Sequence, residues 1–263
     1  MFRFFISRVL SASRLVSLGT ILACLLLPTS IVRAQRSIPD DNLAYPVLIQ
    51  FPDEQASGFY ISTDTSLYLV TAKHVLFDPA TGNLHTGPMI LLSYPHDPKE
   101  PGTNVLKVDT AALFQAGEIK GHPVADVAVV RIAVFLTSPP GNGSAGTIRV
   151  IPGVTILAVT ASGVTGAGVD AIKKYEDVLV ANDVLLFGYP TSLGLQESPQ
   201  LDPKKPLLRR GIVAGLNGDA KSIIIDCPVY PGNSGGPVVE IDRSTFGAKI
   251  STASIFPTSP PLT

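Results

Sequence analysis

The sequence predicts an all-β protein built from two sets of about six short strands on either side of a linker. Three observations predict it. Apolar runs of strand length, rich in Val, Ile, Leu and Tyr, recur along the chain, and Gly, Pro, Asp or Asn bounds each of them. A Pro/Gly/Ser stretch, LTSPPGNGSAG at 136–146, divides the runs into two groups. Within each group the turn residues are closely spaced, which suits a barrel or sandwich better than an open sheet.

The first element is not part of that fold. Arg3, Arg8 and Arg14 precede an apolar run at 15–27, Pro28 breaks the run, and Val32-Arg33-Ala34 supplies a cleavage-like triplet. The pattern predicts a signal peptide at 1–34, removed after Ala34, and an exported mature chain, periplasmic or secreted. A membrane partner is expected only if the segment stays uncleaved, since 15–32 has about the length of a bilayer span. Cys24 does not read as a lipid-attachment site, because Leu22 fits poorly before Ala23 and the apolar run continues past it.

Cleavage takes four of the 20 basic residues and no acid, leaving 16 against 21 and a net charge of about −5. No cluster of Lys and Arg marks a nucleic-acid partner. The remaining 229 residues suffice for one all-β domain or two small barrels. Of the two cysteines only Cys227 survives, so the fold is held by packing and not by an internal disulfide. No Cys/His spacing matches a zinc site, and neither metal nor other cofactor is expected.

The first set, 35–135, begins with a polar lead-in and continues as AYPVLIQ, GFYIS, SLYLVTA, PMILLSY, NVLKVDTAALF and DVAVVRIA. STDTS, between the second and third runs, reads as a tight hairpin. Residues 136–182 read as an interdomain linker. Within it VTILAVTAS has a strand pattern, and GVDAIKKYEDVLVA suits a short helix with Lys173 and Lys174 outward. The second set, 183–256, comprises DVLLFGYP, RRGIVAGL, KSIIID, GPVVEI and GAKISTASIF. The tail at 257–263, PTSPPLT, cannot be sheet interior because proline lacks a donor, and is expected to be disordered.

Chemistry enters with CPVYPGNSGGPVV at 227–239, where Ser234 stands between Gly232 and the pair Gly235-Gly236. A serine hydroxyl attacks carbonyls only with a base to take its proton and a carboxylate to orient that base. His85, His96 and His122 lie in polar, Gly- or Pro-flanked loops. His74 alone follows a strong apolar strand, in LYLVTAKHVLF, so its side chain is expected at a rigid sheet end. Asp126 opens the apolar run ADVAVVRI, and an acid placed there needs a partner. The order along the chain is His74, Asp126, Ser234.

VTAKHVL, ADVAVVRI and PGNSGGPVV, with weaker support from FGYPTSLG and RRGIVAGL, resemble the motifs of chymotrypsin-fold serine peptidases, the bacterial trypsin-like branch with the HtrA proteases above all. The resemblance spans about 58–239. It implies two antiparallel six-stranded β-barrels, the first with His74 and Asp126, the second with Ser234 and one strand short at its C-terminus. It implies catalysis by His74, Asp126 and Ser234, and an oxyanion hole from the N–H groups of Gly232 and Ser234. A side chain on Gly232 would hinder the flip that points its N–H inward. Pro228, Val229 and Tyr230 would contribute to the pocket for the residue before the scissile bond. None is charged, so small or medium apolar residues are expected there; Asp226 suits a strand end or solvent. The partners are polypeptide substrates.

Two positions depart from the pattern of the resemblance. Asn233 replaces the aspartate that pairs with a new N-terminus in digestive enzymes, so activity without such cleavage is expected. Lys73 replaces a small residue directly before His74. A cation there would lower the pKa of the base, and its side chain is expected to extend to solvent instead. A groove that keeps the fold but only holds peptides by strand addition is the competing function. A lipocalin-type barrel fits poorly, because the linker splits the strands.

Overall fold

A computed structural model describes residues 38, 40–136, 148–191 and 198–241. The predicted signal peptide, the strand expected from GAKISTASIF and the tail lie outside the described residues. The first sheet has ten strands: β1 (Pro46–Gln50), β2 (Gln55–Ser62), β3 (Ser66–Thr71), β4 (Pro88–Ser93), β5 (Asn104–Asp109), β6 (Ile119–Gly121), β7 (Ala128–Phe135), β8 (Ile148–Val150), β9 (Val154–Ala158) and β10 (Ala167–Gly168). Its order is β6-β7-β3-β2-β1-β4-β5-β9, with β8 added to β7 and β10 added parallel to β2. The second sheet joins β11 (Asp183–Gly188), β12 (Leu207–Asn217), β13 (Ser222–Asp226) and β14 (Val238–Glu240) in the order β13-β12-β11-β14. A curled first sheet followed by a second antiparallel sheet is the arrangement of a chymotrypsin-like fold.

Side-chain alternation explains why these runs settle as strands. In β5 the residues alternate between interior and solvent, Leu106 and Val108 inward and Lys107 and Asp109 outward. The STDTS hairpin forms where expected, with Ser62 opposite Leu67 and the Thr63 N–H donating to the Ser66 carbonyl at 2.9 Å. Two short helices interrupt the strands, α1 (Lys73–Leu76) and α2 (Thr110–Gln115). The second splits the run NVLKVDTAALF. Asp109 accepts from the Ala112 N–H at 3.0 Å as an N-cap, and the helix-favouring Ala-Ala-Leu follows.

The segment 136–182 differs most from its sequence reading. β8, β9 and β10 all lie in it, and they pair with β7, β5 and β2. GVDAIKKYEDVLVA forms no α-helix, only 3₁₀ turns at Val169–Ala171 and Tyr175–Asp177 after β10. Lys173 does not point outward: its Nζ lies 2.7 Å from Glu240 Oε2, and the Asn182 amide donates to the other carboxylate oxygen. Glu240 is buried, and a buried carboxylate is tolerable only with such partners.

Four apolar clusters hold the described residues together, the smallest of them Leu48, Leu92 and Tyr189. The largest fills the first sheet with residues such as Val47, Ile49, Leu69, Leu91, Val130 and Ile132. A second packs Val184, Leu186, Val213 and Val238 against the 3₁₀ region through Val178. The third joins the two sheets: Tyr45, Phe59 and Ile61 from the first half meet Leu185, Phe187 and Val239 from the second. Each such side chain contributes about 1.5–3 kcal/mol when fully buried, so this cluster fixes one half against the other.

Candidate active site

Strand β3 ends at Thr71 and the chain turns at once into α1, carrying His74 on its first turn. No side chain of the preceding residue caps that helix. Asp126 does so from another part of the chain: its Oδ1 accepts the His74 N–H at 2.9 Å, while Oδ2 lies 2.6 Å from His74 Nδ1. An ionised carboxylate only accepts, so Nδ1 carries the proton and Nε2 is left as the bare nitrogen of the neutral ring.

Both side chains are partly buried, 31% and 23% exposed. The hydrogen bond that the ring donates to Asp126 raises the His74 pKa above the ordinary imidazole value against the opposing effect of burial, and the charges of Asp126 and Glu54 add to the rise. Burial pushes Asp126 up, yet the bonds from the His74 ring and backbone outweigh it and hold the carboxyl below its ordinary value. The arrangement therefore favours the imidazolium, the form that a general base acquires after taking a proton.

The Lys73 backbone N–H adds to the lowering of Asp126, but the ammonium of this lysine is directed elsewhere. Its stem passes over Gly121, where an added Cβ would come within 3.1 Å of Lys73 Cε, and its ammonium donates to the His122 carbonyl at 3.0 Å. His122 Nδ1 accepts in turn from the N–H groups of Val124 and Ala125, at 3.2 and 2.7 Å. The lysine thus ties α1 to the loop that presents Asp126. Neither His85 nor His96 bonds to Asp126: the His85 ring packs near Phe51 and its N–H donates to the Leu76 carbonyl at 2.8 Å, and the His96 N–H donates to Ser162.

Ser234 reaches the same place from the second half. Its loop packs on the first sheet because Gly235, at φ +81°, has no side chain: an added Cβ would collide with Thr71 Oγ1 and the Ser57 carbonyl and lie 2.7 Å from the Ala72 nitrogen. Gly232 adopts φ +91°, and a Cβ there would strike the Tyr189 carbonyl. The Pro231 carbonyl accepts from the Thr191 N–H at 2.9 Å. Since the peptide is planar and trans, this turns the Gly232 N–H the opposite way. Neither the Gly232 nor the Ser234 N–H has an acceptor among the described residues. Asn233 is buried, hydrogen-bonded through its backbone to Tyr230 and Gly236, and bears no charge for a chain terminus to pair with.

Ser57 of β2, a residue that sequence reasoning passed over, locks this loop in place. Its Oγ donates to the Gly232 carbonyl at 2.6 Å and accepts from the Tyr189 N–H at 2.9 Å. Its backbone N–H donates to the Ser234 carbonyl at 3.0 Å, and its own carbonyl accepts from Thr71 Oγ1 at 2.8 Å. The only sequence signal was a small polar residue in the interior of β2, whose other polar residues, Gln55 and Ser62, stand at its ends.

His74, Gly232 and Ser234 line one open cleft of about 500 Å³, together with the 51–56 turn, Val75, Thr191 and Pro231. Of the residues expected to form a pocket before the scissile bond, Pro228 and Val229 are exposed, and Tyr230 stacks under the Arg209 guanidinium at 4.9 Å. None of the three belongs to this cleft lining. Asp226 ends β13 exposed to solvent. No three His, Cys, Asp or Glu side chains among the described residues group as metal ligands.

Residues 56–247 match the family described as trypsin-like peptidase domain. The crystal structure of Deg5 matches over 76% of this chain and 76% of that one, at 17% identity and a TM-score of 0.44. Comparison with curated protein sequences finds no match.

Proposed function

The chain belongs to the trypsin-like peptidase domain family, and from that premise we propose that it is an exported serine endopeptidase working through an acyl-enzyme on Ser234. The observation that carries the reading is the convergence, in one cleft, of the Asp126-oriented His74 with Ser234 and the two N–H groups that lack acceptors.

In the proposed reaction Ser234 Oγ attacks the carbonyl carbon of the substrate peptide and His74 Nε2 takes the hydroxyl proton. Negative charge gathers on the former carbonyl oxygen, where the N–H groups of Gly232 and Ser234 donate to it. Asp126 keeps the proton of Nδ1 in place and stabilises the imidazolium. Collapse breaks the C–N bond, with the amine leaving on a proton returned by His74. Water, deprotonated by His74, then attacks the ester carbonyl; the C–Oγ bond breaks, Ser234 Oγ takes the proton back from His74, and the acid product is released. Uncharged Asn233 supports activity without prior cleavage of an N-terminus. Export rests on the leader pattern of residues 1–34; among the described residues no helix is long and apolar enough to cross a membrane.

A fluorophosphonate probe tests the reading. The full chain is expected to label covalently, Ser234→Ala to fail, and Asp126→Asn to label far more slowly. A folded protein that does not label would instead be a silent peptide-binding module. N-terminal sequencing of the exported chain is expected to begin at Gln35.

A further inference from the structure

The cleft that holds His74 and Ser234 carries charge of one sign beyond the ring itself. Among the described residues, Asp53 and Glu54 are the carboxylates in its lining, and no lysine or arginine belongs to it. Both are exposed, and neither side chain forms an ion pair or hydrogen bond among the described residues. They are nevertheless held in place, on a turn between β1 and β2 that the Phe51 N–H closes by donating to the Glu54 carbonyl at 2.9 Å. The neighbouring cations are turned elsewhere: Lys73 onto the His122 carbonyl, and Lys205, in an adjacent hollow, over the Tyr94 ring at 4.7 Å. Glu54 is close enough for its charge to be felt at the His74 ring.

The side of the cleft matters for what these acids meet. The amine that leaves takes its proton from His74, so the chain after the scissile bond runs past the ring. Val75 and the 51–56 turn line the cleft together with His74, and the charge of Glu54 on that turn acts on the ring. Pro228, Val229 and Tyr230, expected on the acyl side, are outside that lining. An extended substrate advances about 3.3 Å per residue, so a long side chain one to three residues past the bond reaches the turn.

We propose that Asp53 and Glu54 make the protein select polypeptides with a lysine or arginine in the first three residues after the scissile bond. The inference rests on the peptidase reading above. Because the carboxylates are exposed, water and salt screen them, and the selection is a few-fold effect per charge. Their position on the wall of a cleft concentrates the field at the place where the substrate lies.

The test uses quenched fluorescent peptides identical before the bond, with Arg, Gln or Glu placed in turn at the first, second and third residue after it. At low salt the Arg peptide is expected to exceed the Glu peptide in kcat/KM by about 5- to 30-fold at one or more of those positions. The ratio falls toward 1 at 0.5 M salt and in the double variant Asp53→Asn/Glu54→Gln, whose fold is followed by its melting temperature. Binding of the same peptides to Ser234→Ala, read by fluorescence anisotropy, repeats the comparison without turnover. Equal use and equal binding of Arg and Glu peptides, or a preference that survives in the double variant, overturns the proposal. Fluorophosphonate labelling of the same sample separates the two ideas: labelled protein with no charge preference sinks only this one, and unlabelled protein sinks the peptidase reading.

Discussion

Asp126 grips His74 at two points, its Oδ1 on the backbone N–H at 2.9 Å and its Oδ2 on ring Nδ1 at 2.6 Å. One carboxylate, 52 residues away in the chain, therefore sets both the start of α1 and the tautomer of the ring. The pose of His74 depends on the loop before β7 as much as on its own strand.

That grip gives the pair a pH dependence of definite sign. His74 is raised above the ordinary imidazole value, so its contribution to stability is complete below about pH 6.5 and is lost as pH rises through the folded value. Asp126 is lowered, so its contribution is present above about pH 3.9 and is lost as pH falls through the folded value. The pair stabilises the fold most between those limits. The proposed reaction needs the neutral ring, so the acid limb of kcat/KM is expected above about pH 6.5. In Asp126→Asn the limb moves down toward that value, and kcat falls on the order of 10⁴-fold through loss of the correct tautomer. Rate profiles across pH check both.

Ser57→Ala removes the hydroxyl that serves the Gly232 carbonyl and the Tyr189 N–H together. A buried N–H and a partly buried carbonyl are left without partners, a destabilisation of about 2–4 kcal/mol. The loop with Gly232 and Ser234 loses its anchor, so kcat is expected to fall about 10- to 100-fold while KM changes little. Urea melts and steady-state kinetics report the two effects; a stable variant of full activity would contradict them.

Gly235→Ala puts a methyl group against Thr71, Ser57 and Ala72 at a positive φ. Backbone strain and overpacking together are expected to destabilise the protein by about 2–5 kcal/mol. The collision lies between the serine loop and the end of β3, so fluorophosphonate labelling slows as well, even in the fraction that folds.

Lys73→Met keeps the stem on Gly121 and deletes the ammonium that donates to His122. A loss of about 0.5–1 kcal/mol is expected, lowering Tm by about 1–4 °C. Lys73 is not among the groups that shift His74, so the acid limb stays where it was. An upward move of that limb by half a pH unit would mean that the ammonium faces the ring after all.

The strands were legible because alternation and turn residues are local: β5 and the β2–β3 hairpin follow directly from spacing over a few positions. The same local character misread NVLKVDTAALF, where a single capping aspartate ends the strand, and GVDAIKKYEDVLVA, where Lys173 turns inward only because Glu240 is buried nearby. Nothing within the segment itself announces that partner.

His74, Asp126 and Ser234 could be proposed from the chain because their motifs are short and their chemistry is particular. What the sequence by itself determined was therefore local: which runs form strands, which residues carry reactive groups, and in what order they come. Tertiary structure alone decided that Ser57 reaches across 175 residues to brace the Gly232 carbonyl. It also turned Lys73 away from the ring it precedes, and set the acids of the 51–56 turn in the same cleft as Ser234. The reason is physical: periodicity records which side of a strand faces an interior, but which distant surface fills that interior depends on how whole faces pack.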